Sequence, residues 1–208
     1  MQETRRGRPP LSTEQRDRQR LEISRHAVRL FRAQGLAATS GAQIAEAAGV
    51  SERTVWRWFR AKESCVEPLL RSAVAAFDEV LRTWPPDRDL LDHLRGEYRL
   101  GGDGEVAGGE VEDVLAVVRM TAREPALRAV WLLVQEQAEP LLTEVFARRL
   151  GVPADSVEAR TKAAVVNAAL RIATDDLAAA AAEIGAPAAA EAHGERLSEI
   201  LRIAAGPF

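Results

Sequence analysis

Residues Ser40 to Glu63 read SGAQIAEAAGVSERTVWRWFRAKE, and their spacing predicts two short helices joined by a tight turn. Ser40 with Gln43 three residues on is a capping box: the hydroxyl accepts from a free backbone N–H and the amide reaches back to the cap. Ile44, Ala45, Ala47 and Ala48 then give a small apolar face over about two turns. Gly49 stands where a helix-ending residue takes positive φ, which glycine does without a Cβ penalty. Val50 is placed to fill the angle between the helices. Ser51 caps the second helix, which runs from about Glu52 to Phe59. On it Val55 and Phe59 lie four apart and turn inward. Arg53, Thr54, Trp56, Arg57 and Trp58 remain outside.

Two Trp and two Arg within residues 53–58 do not make an ordinary solvated face. Exposed large aromatics mark contact sites. A helix-turn-helix places the N-terminal part of its second helix in the DNA major groove. There Arg pairs bidentately with guanine, and apolar atoms touch thymine methyls. The Trp indole N–H is donor-only and suits a phosphate oxygen.

Upstream, Ile23, Ala27, Leu30, Phe31, Gly35, Ala38 and Thr39 extend the pattern. Together with Ile44-Ala45, Ala48-Gly49-Val50-Ser51, Thr54, Phe59 and Lys62-Glu63 they resemble the DNA-binding domain of the TetR family of transcriptional regulators, over a quarter to a third of the chain. The resemblance implies phosphate contacts from Thr39, Thr54, Trp56 and Lys62, and base contacts from the segment Ser51, Glu52, Arg53, Thr54 to Arg57. Four departures stand out. Trp56 takes a position usually held by Tyr, and Trp58 one often held by His or Tyr. Arg60 replaces a common Pro, and Ala61 a common capping Ser.

The 208-residue chain has no run of about 18 apolar residues, so no membrane span is expected. Its basic N-terminus has no apolar segment behind it and does not read as a secretory signal. Cys65 is the single cysteine, which excludes an internal disulfide and suits a reducing cytoplasm. The net charge of −3 hides an asymmetry. Residues 1–63 hold 13 basic and 7 acidic side chains, and residues 64–208 hold 15 and 24, so +6 in the first part faces −9 in the second. A basic end attracts phosphates while the acidic remainder is held away from them.

Residues 1–13 read as a flexible basic arm. Arg5-Arg6-Gly7-Arg8-Pro9-Pro10 resembles an AT-hook, in which Gly lets the backbone lie flat while Arg5 and Arg8 enter a narrow A·T groove. A tail adding only nonspecific charge is the alternative. The first helix is expected from Ser12–Glu14 to Gln34. Arg25, Arg29 and Arg32 read as its solvated side, and Arg16, Arg18 and Arg20 as phosphate candidates. These elements make a helix-turn-helix domain over residues 14–61.

Residues 62–208 read as a helical body. A fourth helix spans Lys62 to Thr83, stopped by Trp84-Pro85-Pro86; Lys62 at its start is placed for a phosphate. A short helix over Asp87–Leu100 is capped by Asp87 or Asp89. The glycine-rich segment 101–109 lacks the Lys-Ser/Thr and the preceding strand of a P-loop and reads as a connection. Further helices cover Glu110–Arg123, Glu124–Leu150 with a kink or split at Pro140, a long segment opened by Pro153 and Asp155 and broken at Gly185–Pro187, and Ala190–Ala205. The expected fold is thus all-α, with about nine helices.

The last two helices have wide apolar faces and little chain left to cover them, which favours a twofold partner. The resemblance implies the same: a homodimer through a four-helix bundle, reading a palindromic operator. The middle helices are expected to enclose an effector pocket lined by Phe77, Trp84, Tyr98, Met120, Trp131 and Val134. Asn167, Arg171 and Asp175, four apart on one helix, either orient a ligand or pair elsewhere. The resemblance implies a ligand-responsive repressor in which an effector tilts the fourth helix. His26, His93 and His193 sit in unrelated contexts without metal-ligand spacing, and no nucleophile pattern is present. No enzyme, metal or cofactor is therefore expected. A nonspecific architectural DNA binder is the alternative.

Overall fold

Ser12 starts the first helix through a capping box with Gln15: the Gln15 N–H donates to Ser12 Oγ at 3.1 Å, and the Ser12 N–H to Gln15 Oε1 at 2.9 Å. The computed structural model describes residues 12–85, 87–97 and 108–205. Residues 1–11 of the N-terminal arm, with Arg5 and Arg8, residues 101–107 of the glycine-rich segment, and Tyr98 lie outside them. Helix α1 spans Thr13–Gln34, α2 Gly41–Ala47 and α3 Glu52–Trp58. A 3-10 turn over Lys62–Val66 leads into α4, Glu67–Arg82. Then come α5 Leu90–Glu97, α6 Gly108–Met120, α7 Pro125–Leu150, α8 Val157–Ile184 and α9 Ala186–Ala205. Among the described residues there is no strand. No helix is long and apolar enough to cross a membrane.

Local chemistry sets the boundaries, and several differ from the sequence expectation. The fourth helix does not begin α-helically at Lys62. Ala61 supplies no side-chain cap, and the chain enters through the 3-10 turn, where Ser64 Oγ donates to Ala61 O at 2.7 Å. Asp89, rather than Asp87, caps α5 by accepting from the Asp92 N–H at 3.3 Å. Pro140 does not split α7, which is continuous. It sits on the exposed side, where the Glu136 carbonyl that loses its partner meets water. Ser156 caps α8 by accepting from the Ala159 N–H at 3.2 Å, so Pro153 and Asp155 precede the helix rather than open it. Pro187 lies in the first turn of α9, where its missing N–H has no intrahelical role, so that helix starts four residues earlier than expected.

One apolar core joins the N-terminal helices to the body. Ile23, Ala27, Val28 and Phe31 of α1 pack with Ile44 and Ala45 of α2, with Val55 and Phe59, and with Leu69 and Leu70 of α4. The same cluster continues through Leu115 and Val117 of α6 to Leu127 and Trp131 of α7. Cys65 is fully buried within it, and burial, reinforced by Glu63, pushes its thiol up to about 12. A second cluster centres on Phe146, Leu142, Val166 and Leu201. Trp84 belongs there rather than to a pocket wall. It meets Phe146 edge-on at 6.4 Å, its indole donates to Arg88 O at 2.8 Å, and the Arg149 guanidinium lies 4.1 Å above its ring.

Candidate nucleic-acid interface and buried cavity

The turn between α2 and α3 is built as its residues dictate. Gln43 N–H donates to Ser40 Oγ at 3.2 Å and Ser40 N–H to Gln43 Oε1 at 2.8 Å. Gly49 has φ +63°. Ser51 Oγ accepts from the Thr54 N–H at 3.2 Å and shares a 2.9 Å bond with the Thr54 hydroxyl. Val55 and Phe59 are buried and fix the inner side of α3. Its outer side presents Glu52, Arg53, Trp56 and Arg57, all exposed, with Thr54 and Trp58 half-buried. The Arg57 guanidinium stacks 5.5 Å over Trp58, which holds both against the head. Trp56 is 42% exposed and its indole donates to Glu52 Oε1 at 3.0 Å. Gly41 gives this ring its seat: a Cβ there would stand 2.0 Å from Trp56 Cζ2.

Two residues carried over from the resemblance are placed differently from simple phosphate donors. Thr39 is buried, its hydroxyl donating to Gly35 O at 2.8 Å and accepting from Gln34 Nε2 at 3.2 Å. The Lys62 ammonium donates to Leu36 O at 2.6 Å and Thr39 O at 3.0 Å, with Ala37 O at 3.4 Å. Its three N–H donors are thus directed at the carbonyls of the α1–α2 connection. Arg18 pairs with Glu14 at 2.9 Å, and Arg20 lies 5.6 Å over Phe59.

Arg29 and Arg32 are exposed, as a solvated side requires, and Arg25 is half-buried, yet all three also reach carboxylates of α6. Arg25 bonds Glu110, and Arg32 bonds Asp113, while Arg29 lies 3.9 Å from Asp113 and Arg32 3.6 Å from Glu112. Asp113 is 3% and Glu110 9% exposed. Spacings of four and three on α1 meet carboxylates on α6, so ion pairs fasten the first helix of the head to the body. The signal lay in two half-patterns 80 residues apart, and neither half shows its partner.

Inside the body, α4, α6, α7, α8 and α9 enclose a cavity of about 140 Å³. Phe77, Trp131 and Asn167 line it, and Asn167 Nδ2 donates to Gln135 O at 2.9 Å. Trp84 and Met120 do not line it. Arg171 and Asp175 also stay out: Asp175 accepts a forked contact from Arg128 at 3.0 and 2.9 Å, and Arg171 lies 3.6 Å from it. These charges face one another across α7 and α8 because each satisfies the other. Four polar lining residues were missed: Asp78, Gln135, Thr174 and His193. Asp78 shares a helix face with Val74, Phe77 and Leu81, and His193 falls in the four-residue series Ala189, Leu197, Leu201. A polar residue inside an apolar stripe was the available signal. Burial pushes the Asp78 carboxyl up to about 6, against the pull of Arg82. Burial pulls the His193 imidazole below its ordinary range, against Asp176. Among the described residues no cluster of ligands for a metal ion occurs.

Residues 23–69 match the model for bacterial regulatory proteins of the tetR family, and residues 104–201 match the MftR C-terminal domain. The HTH-type transcriptional regulator TcmR of Streptomyces glaucescens is 34% identical over 152 residues, covering 71% of this chain and 67% of that protein. Salmonella enterica GusR superposes with a TM-score of 0.56 at 20% identity, over 89% of this chain and 96% of its own, a likeness of fold alone. The multidrug binding protein EbrR, solved with imidazole, gives a TM-score of 0.52 at 25% identity over 88% and 89% of the two chains.

Proposed function

Because this chain belongs to the TetR family, whose members are DNA-binding transcriptional regulators and not enzymes, we propose that it is a ligand-responsive repressor that binds a palindromic operator as a homodimer. The observation that carries this reading is the double attachment of α4. Its start belongs to the head: Leu69 and Leu70 are buried in the shared core, and the Leu69 N–H donates to Ser24 Oγ of α1 at 3.2 Å. Ala73, Val74, Phe77 and Asp78 of the same helix wall the cavity. From Leu69 to Phe77 is about 12 Å along a rigid helix.

The cavity is small. A comparable void of about 150 Å³ accommodates one benzene ring. A larger effector must displace its walls, and α4 transmits such a displacement to the head. DNA and effector then compete through one helix, and linkage requires that operator binding weaken effector binding by the same factor. EbrR, described as a multidrug binding protein and solved with imidazole and with ethidium, supports a small-molecule effector.

A second copy is the natural cover for the outer apolar side of the body. Leu132 and Leu133 of α7 and Val165 and Ile172 of α8 are 42–47% exposed. On α9 the exposed large apolar residue is Ile203 near its end, the rest of that side being largely charged. The sequence reading places the dimer on the last two helices; the exposed apolar surface favours α8, with α7 contributing. In such a dimer the two α3 helices would present Ser51, Glu52, Arg53, Thr54, Trp56, Arg57 and Trp58 to successive major grooves, with Arg5 and Arg8 of the arm adding minor-groove contact.

The test is a footprint on the DNA flanking the gene, at physiological salt with competitor DNA. A protected palindrome that an effector releases is the expected result. Salt-sensitive binding with no preferred sequence would instead mean the nonspecific architectural binder.

A further inference from the structure

We propose that the cavity takes a lipophilic organic cation, with its protonated or quaternary nitrogen beside Asp78 and its apolar body against Phe77 and Trp131. This rests on the effector-binding reading above and specifies the chemical class.

Charge asymmetry is the first ground. Of the described residues lining the cavity, Asp78 is the sole carboxylate, and no Lys or Arg joins it. No hydrogen bond or ion pair reaches its carboxyl from the described residues. Arg82, the cation that acts on it, points its guanidinium at Glu79 at 3.1 Å. Arg128 and Arg171 of the neighbouring helices are engaged elsewhere, both leaning on Asp175. A carboxylate set in an apolar wall without a partner is costly, and a cation is the ligand charge that relieves it. An anionic ligand would meet Asp78 with no compensating cation. A neutral ligand would strip the carboxyl of water and give nothing back.

The remaining lining groups fit the same class. Thr174 Oγ1 donates to Leu170 O at 2.9 Å and Asn167 Nδ2 to Gln135 O, so donors on α8 are turned to backbone carbonyls. Trp131 is 3% exposed, and its indole N–H finds no acceptor among the described residues. It is the second group at this site awaiting a ligand atom, here an acceptor on the same molecule. The ring faces of Trp131 and Phe77 add the attraction of an aromatic quadrupole for a cation.

The test uses the full chain and three bicyclic probes of one shape and different charge: N-methylquinolinium, 1-methylnaphthalene and 1-naphthoate. Calorimetric titration at pH 8 should find the cation at least tenfold tighter than the neutral hydrocarbon and the anion weakest. Asp78→Asn should lower cation affinity at least tenfold and leave the hydrocarbon unchanged or tighter. Lowering the pH to 5 should weaken the permanently charged quinolinium, as Asp78, pushed up to about 6, is neutralised; Arg82 is the charged group that acts on Asp78, and Asp176 the one that acts on His193. In Asp78→Asn that pH dependence should shrink. If the variant does not fold, the charge series and pH series on the parent protein still decide.

Naphthoate binding as tightly as quinolinium, or a cation preference that survives Asp78→Asn, overturns the proposal. Operator affinity is measured separately. Asp78-dependent cation binding that leaves operator affinity unchanged supports the cation site and removes the induction reading alone. Operator release by the neutral or anionic probe, with no cation preference, does the reverse.

Discussion

Replacing Gly41 by Ala tests how the recognition surface is held, because the structure separates its effect on stability from its effect on DNA. The new Cβ would lie 2.0 Å from Trp56 Cζ2 and 2.7 Å from Cε2. Carbon atoms in ordinary contact stand about 3.5–4.0 Å apart, so the ring must retreat by about 1.5 Å. What yields is the end of a side chain with two free torsions, 42% exposed, and not backbone. The retreat breaks the indole–Glu52 bond, worth about 0.5 kcal/mol between exposed groups. Against this, Ala in place of Gly in a helix gains about 0.4–1 kcal/mol by restricting the unfolded chain. The two effects offset, and stability should stay within about 1 kcal/mol of the parent. The operator contact of Trp56 moves with the ring, at a cost of about 1 kcal/mol per head for one donor and its packing. Urea denaturation and fluorescence anisotropy on the operator read the two quantities. The decisive control is Gly41→Ala in a Trp56→Ala background, where the clash is gone and the substitution should stabilise the fold without further loss of DNA binding. An equal loss of affinity in both backgrounds, or a destabilisation above about 3 kcal/mol, would show that α2 itself is displaced and refute the reasoning.

Four further outcomes are expected. Lys62→Met should cost about 1–3 kcal/mol of stability by freeing three carbonyls, and should weaken DNA binding without changing its salt dependence; a slope shallower by about 0.9 per head would identify a direct phosphate contact. Asp113→Ala should destabilise by about 1–3 kcal/mol in urea, less than a fully buried pair because the Arg32 side chain is 39% exposed, and a neutral result would mean the α1–α6 pairs only decorate the surface. Asp78→Asn should raise the Tm at pH 7.5: the carboxyl, pushed up to about 6 from 3.8, binds its proton more readily folded than unfolded, so parent stability falls as pH rises through that window, and the gap between variant and parent should close near pH 4. Ile172→Glu should yield monomers by sedimentation velocity and abolish footprinting, and a dimer that persists would move the interface off α8.

The head was legible because its determinants are local. Ser40, Gln43, Gly49, Ser51, Val55 and Phe59 act through neighbours three or four positions away, and each adopts the role its chemistry prescribes. The misplaced boundaries are also local, but each turned on a competition. At Ala61 the absent hydroxyl left the chain to a 3-10 turn. At Pro187 a residue read as a breaker was tolerated in a first turn. At Pro140 the lost bond fell on the solvent side of a helix held by packing on its other face.

What escaped the sequence reading depends on partners far along the chain. Arg25, Arg29 and Arg32 at helical spacing look alike whether they face water or a neighbour, and only packing α1 on α6 brings Glu110 and Asp113 to them. Lys62 was assigned outward because its charge suits a phosphate, yet an ammonium also suits a helix-ending loop that presents three bare carbonyls, and here the loop lies within reach. The cavity follows the same logic in reverse. Apolar bulk points to Trp84 and Met120, whereas the residues that distinguish this wall are those out of place in it. An aspartate on the Val74–Leu81 face and a histidine in the Ala189–Leu201 series must each be satisfied or left exposed to a void. For Asp78 the described residues supply no partner, and that unmet requirement says more about the ligand than the apolar residues around it.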